Sequence, residues 1–298
     1  MSRSCPVRRE QSTALSRRNL LKEKSPVWGI LLLLCIGLTA TGLLAKESNT
    51  PSYFGVPAPD QPSGPGWDRT KNTALVPVSN LEDAGFHWLQ RHQDILALEK
   101  SLRPKIVLIG DSITHFWGGL PEGHIQNGPE SWQKTFGNRA VLNLGFAWDR
   151  TQNVLWRLDH GEFDTIRPKT AVVNIGMNNF IATANARSNS PQEVAQAIVA
   201  ICDRIRAKSF QTRIIVMGVF PTGQEATHET RAPINELNGL LAKAFFGKTG
   251  IVFLDIGKQF LNTDGSLNPE LMLDGIHPSE KGYELWGKAL QQAGAFTE

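Results

Sequence analysis

Five short apolar runs rich in β-branched residues mark the chain from residue 105 onward: Lys105 to Ile109, Ala140 to Leu144, Thr170 to Ile175, Arg213 to Val219 and Ile251 to Ile256. Each reads as a strand buried on both faces. Helical patterns lie between them. In Ser190-Pro191-Gln192-Glu193 the Ser caps, the Pro fits the first turn and the Glu closes a capping box; Val194, Ile198, Ile201 and Ile205 then share one face. A second helix starts near Asp149 and runs through Val154, Leu155 and Leu158, with Asp149 expected to cap it and to brace the loop after the second strand. A third carries Ile234, Leu237 and Leu241, and a last one Tyr283, Trp286 and Leu290. An additional helix, Phe86 to Leu102, leads into the first strand. Alternation of this kind implies right-handed crossovers and a five-stranded parallel sheet with helices on both faces, a flavodoxin-like three-layer α/β/α sandwich.

The segment ahead of this domain has a different character. Ser25 to Ala45 carries no charge, and its core from Val27 to Leu38 is apolar enough for a bilayer. A basic flank precedes it, so residues 1–45 read as a signal peptide or an uncleaved signal anchor. Within the flank, Ser16-Arg17-Arg18-Asn19-Leu20-Leu21-Lys22 resembles the bacterial twin-arginine signal. The expectation is export to the periplasm or cell envelope, with residues 27–45 serving as a membrane anchor if they stay attached. Residues 46–83 are rich in Pro, Gly, Ser and Asn and read as a linker or extended arm. The domain proper is placed at 84–298.

Composition narrows the function. Seven of the 31 basic residues and two of the 28 acidic ones lie in the first 45 positions, which leaves 24 against 26 in the rest. The formal charge of +3 therefore belongs to the N-terminus, and a nucleic-acid partner is not expected. Of three cysteines only Cys202 lies beyond residue 45, so no disulfide or Cys-based zinc site can form within the domain. His87, His92, His115, His124, His160 and His228 show no paired ligand spacing. Neither a metal nor a cofactor is expected.

Ligands of open parallel sheets bind beyond the carboxyl ends of the strands. There the first strand runs into Gly110-Asp111-Ser112, the second into Asn143-Leu144-Gly145, and the third into Gly176-Met177-Asn178-Asn179; Asp274-Gly275-Ile276-His277 follows the fifth. A Ser, a Gly, an Asn and an Asp-x-x-His on one rim are the parts of a serine hydrolase. With all four blocks in order from about residue 84 to 295, the chain is similar to the SGNH, or GDSL-type, esterase and acylhydrolase family. Among its members it most resembles platelet-activating-factor acetylhydrolase catalytic subunits and bacterial carbohydrate acetylesterases.

The resemblance implies Ser112 as nucleophile, His277 as base and Asp274 as the carboxylate that orients His277. It implies an oxyanion hole made from the N–H groups of Ser112 and Gly145 and the side-chain amide of Asn178. Asp111 is expected to fix the nucleophile turn, and Asp111, Trp117, Trp148 and Asn179 are placed around the pocket. Trp117 and Trp148 are either sugar-stacking rings or simple packing. The leading expectation is an ester hydrolase acting through an acyl-serine and removing short acyl groups, acetyl above all, from carbohydrate or a similar alcohol. Its alternatives are a lysophospholipase or platelet-activating-factor-type acetylhydrolase and, in another class, a non-catalytic glycan-binding module. The resemblance also allows a homodimer.

Overall fold

Parallel strands β1 (Ile106–Gly110), β2 (Val141–Gly145), β3 (Thr170–Asn174), β4 (Arg213–Met217) and β5 (Ile251–Leu254) form one sheet in the order β2-β1-β3-β4-β5. This is the flavodoxin-like order expected from the alternating pattern. The computed structural model describes residues 71–296, so the signal or anchor and the first part of the linker lie outside the described residues.

Successive strand residues face opposite ways, which builds two cores. Val107, Ile109, Leu142, Leu144, Val173 and Val216 pack under α1 (Trp88–Leu102), α4 (Thr151–Asp159), α5 (Pro191–Lys208) and α6 (Arg231–Phe245). Ile106, Leu108, Val141, Val172 and Ile215 pack under α3 (Pro129–Phe136) and α7 (Glu280–Gln292). The short helix α2 (Ser112–His115) follows β1 directly.

The expected cap of α5 is present. Ser190 Oγ accepts from Glu193 N at 3.2 Å and Glu193 Oε2 accepts from Ser190 N at 2.9 Å. The expected cap of α4 is not, because Asp149 is turned inward and Arg150 is the N-cap residue. Asn153 instead reaches back to the Arg150 N–H at 2.8 Å. The sequence pattern carries little signal for α3: eight residues with only Trp132 and Phe136 as large apolar groups give no more than one i, i+4 pair.

The described part of 46–83, from residue 71 onward, is hydrogen-bonded to the domain. Thr151 Oγ1 donates to Ala74 O at 3.0 Å, Asn189 Nδ2 to Thr73 Oγ1 at 2.9 Å, and Asn153 Nδ2 to Val78 O at 3.2 Å. It crosses the N-terminal ends of α4 and α5, on the rim where the strands end.

Candidate active site

Strand β1 ends in Gly110, where a Cβ would collide with Thr114 Oγ1 and the Asn174 carbonyl. The glycine lets the chain turn at once into α2. Asp111 caps that helix through Oδ1, which accepts from Ile113 N at 3.0 Å, and the Tyr283 hydroxyl ties down the Ile113 carbonyl at 2.7 Å. Burial pushes the Asp111 carboxyl up to about 7, with the Ile113 N–H pulling the other way. Ser112, the first residue of α2, is partly exposed.

The loop before α7 brings its two residues to this serine. His277 Nε2 lies 2.9 Å from Ser112 Oγ, and His277 Nδ1 lies 2.7 Å from Asp274 Oδ2. Asp274 Oδ1 accepts the backbone N–H groups of Ile276 at 3.0 Å and His277 at 2.8 Å. Burial raises the Asp274 pKa, but the bonds from the His277 ring and these N–H groups outweigh it and hold the carboxyl below its usual range. A carboxylate on Nδ1 fixes the proton there, which leaves Nε2 as acceptor for the serine hydroxyl. Ser112, His277 and Asp274 are thus brought together as the sequence pattern implied.

The loop after β2 is pinned almost atom by atom. Phe146 N donates to Gly110 O at 3.0 Å, Ala147 N to His115 Nδ1 at 3.3 Å and Asp149 N to Phe146 O at 3.1 Å. Gly145 departs from expectation. Its N–H already donates to Asn143 Oδ1 at 2.8 Å, so it is not the open donor the sequence suggested. Its smallness serves packing, since a Cβ would fall on the His115 backbone. Among the described residues, the N–H of this loop left without an acceptor is that of Trp148, which is held at φ 65°. Nothing in the sequence marks that role, because it depends on where the neighbouring N–H groups go.

Buried side chains hold the loop from below. Asp149 accepts from Trp88 Nε1 at 2.7 Å and Arg157 Nε at 2.9 Å, and Arg157 also pairs with Glu162 at 2.6 Å and lies 4.1 Å over the Phe146 ring. Burial lowers the Arg157 pKa, but Glu162 and Asp149 more than reverse this, so the guanidinium stays charged. Arg91 donates to Gly145 O, Pro121 O and Asn143 O at 2.8, 2.8 and 3.0 Å. On the far side, Asn178 gives one amide N–H to Asp149 O at 3.0 Å and keeps the other.

Three residues placed around the pocket do not line it. Trp117 is fully buried, stacked on Trp286 and Tyr283 at 4.6 and 5.2 Å, with Nε1 on Ser131 Oγ. Its large apolar surface goes to the second core. Asn179 is also buried, joined to Thr151, Gln152 and Asn189, so it braces the Asn178 turn. Asp111 is enclosed beneath α2. Trp148 alone of the four stands in solvent, 41% exposed. Among the described residues there is no grouping of His, Cys, Asp and Glu that could hold a metal ion.

Residues 108–285 match the GDSL-like lipase/acylhydrolase family model. The chain is 33% identical over 208 residues to platelet-activating factor acetylhydrolase IB subunit alpha1 of Homo sapiens, covering 70% of this chain and 82% of that one. Among solved structures, a GDSL-like lipase from Bacteroides thetaiotaomicron matches with TM-score 0.52 at 20% identity, over 69% of this chain and 95% of that one. An acetyl xylan esterase matches with TM-score 0.51 at 16% identity, over 63% and 98%.

Proposed function

Because the chain belongs to the GDSL-like lipase/acylhydrolase family and is a carboxylic ester hydrolase, we propose that Ser112, His277 and Asp274 are its catalytic triad and that it removes acetyl groups from carbohydrate. The carrying observation is the Asp274–His277–Ser112 hydrogen-bonded line, at 2.7 and 2.9 Å. Ser112 Oγ attacks the ester carbonyl as its proton passes to His277 Nε2, and the imidazolium is steadied by Asp274. His277 then hands the proton to the leaving alcohol, and water repeats the sequence on the acyl-serine. The developing oxyanion is met by the N–H groups of Ser112 and Trp148 and the free amide N–H of Asn178. Each donor is worth roughly 10²- to 10³-fold in rate.

The substrate reading rests on an open rim. Asp274 has a side chain 55% exposed, and Trp148, in the loop of the proposed oxyanion hole, is also exposed, so its indole can offer a face to a sugar ring and restrict room for a long acyl chain. A platelet-activating-factor-type acetylhydrolase is the second reading, favoured by the similarity to the human subunit, and it shares the acetyl group. Hydrolysis of nitrophenyl acetate, butyrate, octanoate and palmitate by wild type and Ser112→Ala tests the reading. Activity confined to short chains and lost in the variant supports it; preference for long chains refutes acetyl specificity.

Residues 1–45 carry the proposed export signal, with 27–45 as anchor when uncleaved. Fractionation of cells expressing the full chain and its Arg17→Lys/Arg18→Lys variant tests this, with cytoplasmic retention of the variant expected. The homodimer allowed by the family resemblance is read by light scattering.

A further inference from the structure

A cavity of about 240 Å³ opens beside α2, lined by Phe86, Gln90, Asp94, His115, Gly123 and His124 among others. It lies close to the triad. The Phe116 ring is 5.0 Å from that of His277 and 6.5 Å from that of His124, so one aromatic ring separates the catalytic histidine from the cavity wall.

Its chemistry is mixed in a particular way. The rings of Phe86 and His124, 6.4 Å apart with their planes inclined at 28°, give it apolar faces. Gln90 and Asp94, one turn apart on α1, are bonded at 2.9 Å, which leaves Asp94 Oδ2 and the Gln90 carbonyl oxygen as acceptors. His115 is 2% exposed and lies in the cavity floor. Its Nδ1 accepts from Ala147, so Nε2 carries the proton, and Nε2 has no partner among the described residues. Burial pushes this ring down to about 2, so it stays neutral. A Cβ on Gly123 would come within 2.8 Å of Nε2, so the glycine lets this loop pack directly on the His115 ring.

We propose that this cavity is a subsite for a sugar ring of the alcohol part of the ester, adjoining the unit that bears the acyl group. Gln90 and Asp94 accept from hydroxyls, Phe86 and His124 supply the apolar faces, and the neutral His115 ring closes the floor. This rests on the carbohydrate reading above. A phosphate headgroup fits poorly, because Asp94 repels it and the guanidinium of Arg91 on the wall is already engaged by three carbonyls.

The test compares the full-length protein with Gln90→Ala, Asp94→Ala and Phe86→Ala on nitrophenyl acetate, acetylated xylose and acetylated xylotetraose. The expected result is a loss of about five- to twentyfold in kcat/KM on the tetraose, mainly through KM, with the two small substrates changed less than about twofold. Equal losses on all three substrates, or none on the tetraose, would overturn the subsite. A wild type that cleaves nitrophenyl acetate but neither acetylated sugar would overturn the carbohydrate reading itself, a separate and recognisable failure.

Discussion

Asp274 grips His277 at two points: its Oδ2 meets the ring at Nδ1, 2.7 Å away, and its Oδ1 takes the backbone N–H of the same residue at 2.8 Å. One carboxylate therefore sets both the tautomer of the imidazole and the turn that presents it. Asp274→Asn replaces an acceptor by a group that also donates, and it is expected to lower kcat by about 10²- to 10⁴-fold with little change in KM. Steady-state kinetics on nitrophenyl acetate checks this; a drop carried by KM alone would show that Asp274 binds substrate instead.

Trp148 adopts a left-handed conformation that costs a residue with a Cβ about 1 kcal/mol or more. Trp148→Gly keeps the open N–H and removes that cost, so acetate hydrolysis should persist and butyrate should gain on it. Thermal unfolding should move upward or stay level. If acetate turnover collapses, the indole itself takes part in binding the substrate.

Gly145→Ala separates the two roles considered for that residue. As a mere N–H donor it would tolerate alanine. Because a Cβ there meets the backbone of His115 and Thr114, the variant should displace α2, cost about 1–3 kcal/mol and lower kcat with it. Denaturant unfolding and activity measured together decide between the roles.

Glu99, fully buried, accepts from Phe163 N at 3.0 Å, and burial pushes its carboxyl up to about 8 against that bond. The raised folded value means that its contribution to stability is complete below the unfolded pKa and is lost as pH rises through about 8. Glu99→Gln should be nearly neutral near pH 4 and more stable than wild type by roughly 2–4 kcal/mol at pH 9. Chemical unfolding across that range reads the difference, and parallel curves would contradict it.

What the sequence made legible follows from local signals. The five strands are continuous apolar runs, and the proposed triad lies in motifs at their carboxyl ends, so parallel topology alone brings Ser112 and His277 to one rim. Trp117 was misplaced because its neighbours Tyr283 and Trp286 are some 170 positions away, and the stack exists only after folding. The choice of Trp148 over Gly145 as open donor was equally hidden, since it turns on the Asn143 side chain folding back on Gly145. Trp88 looks like an ordinary helix residue until Asp149 is seen bonded to its indole.

Covalent labelling tests the central claim most directly. A fluorophosphonate probe incubated with the wild-type protein, followed by peptide mass spectrometry, should place the label on Ser112, and Ser112→Ala and His277→Ala should remain unlabelled. A folded wild type that takes no label, or takes it on another residue, would contradict the assignment of Ser112 as nucleophile.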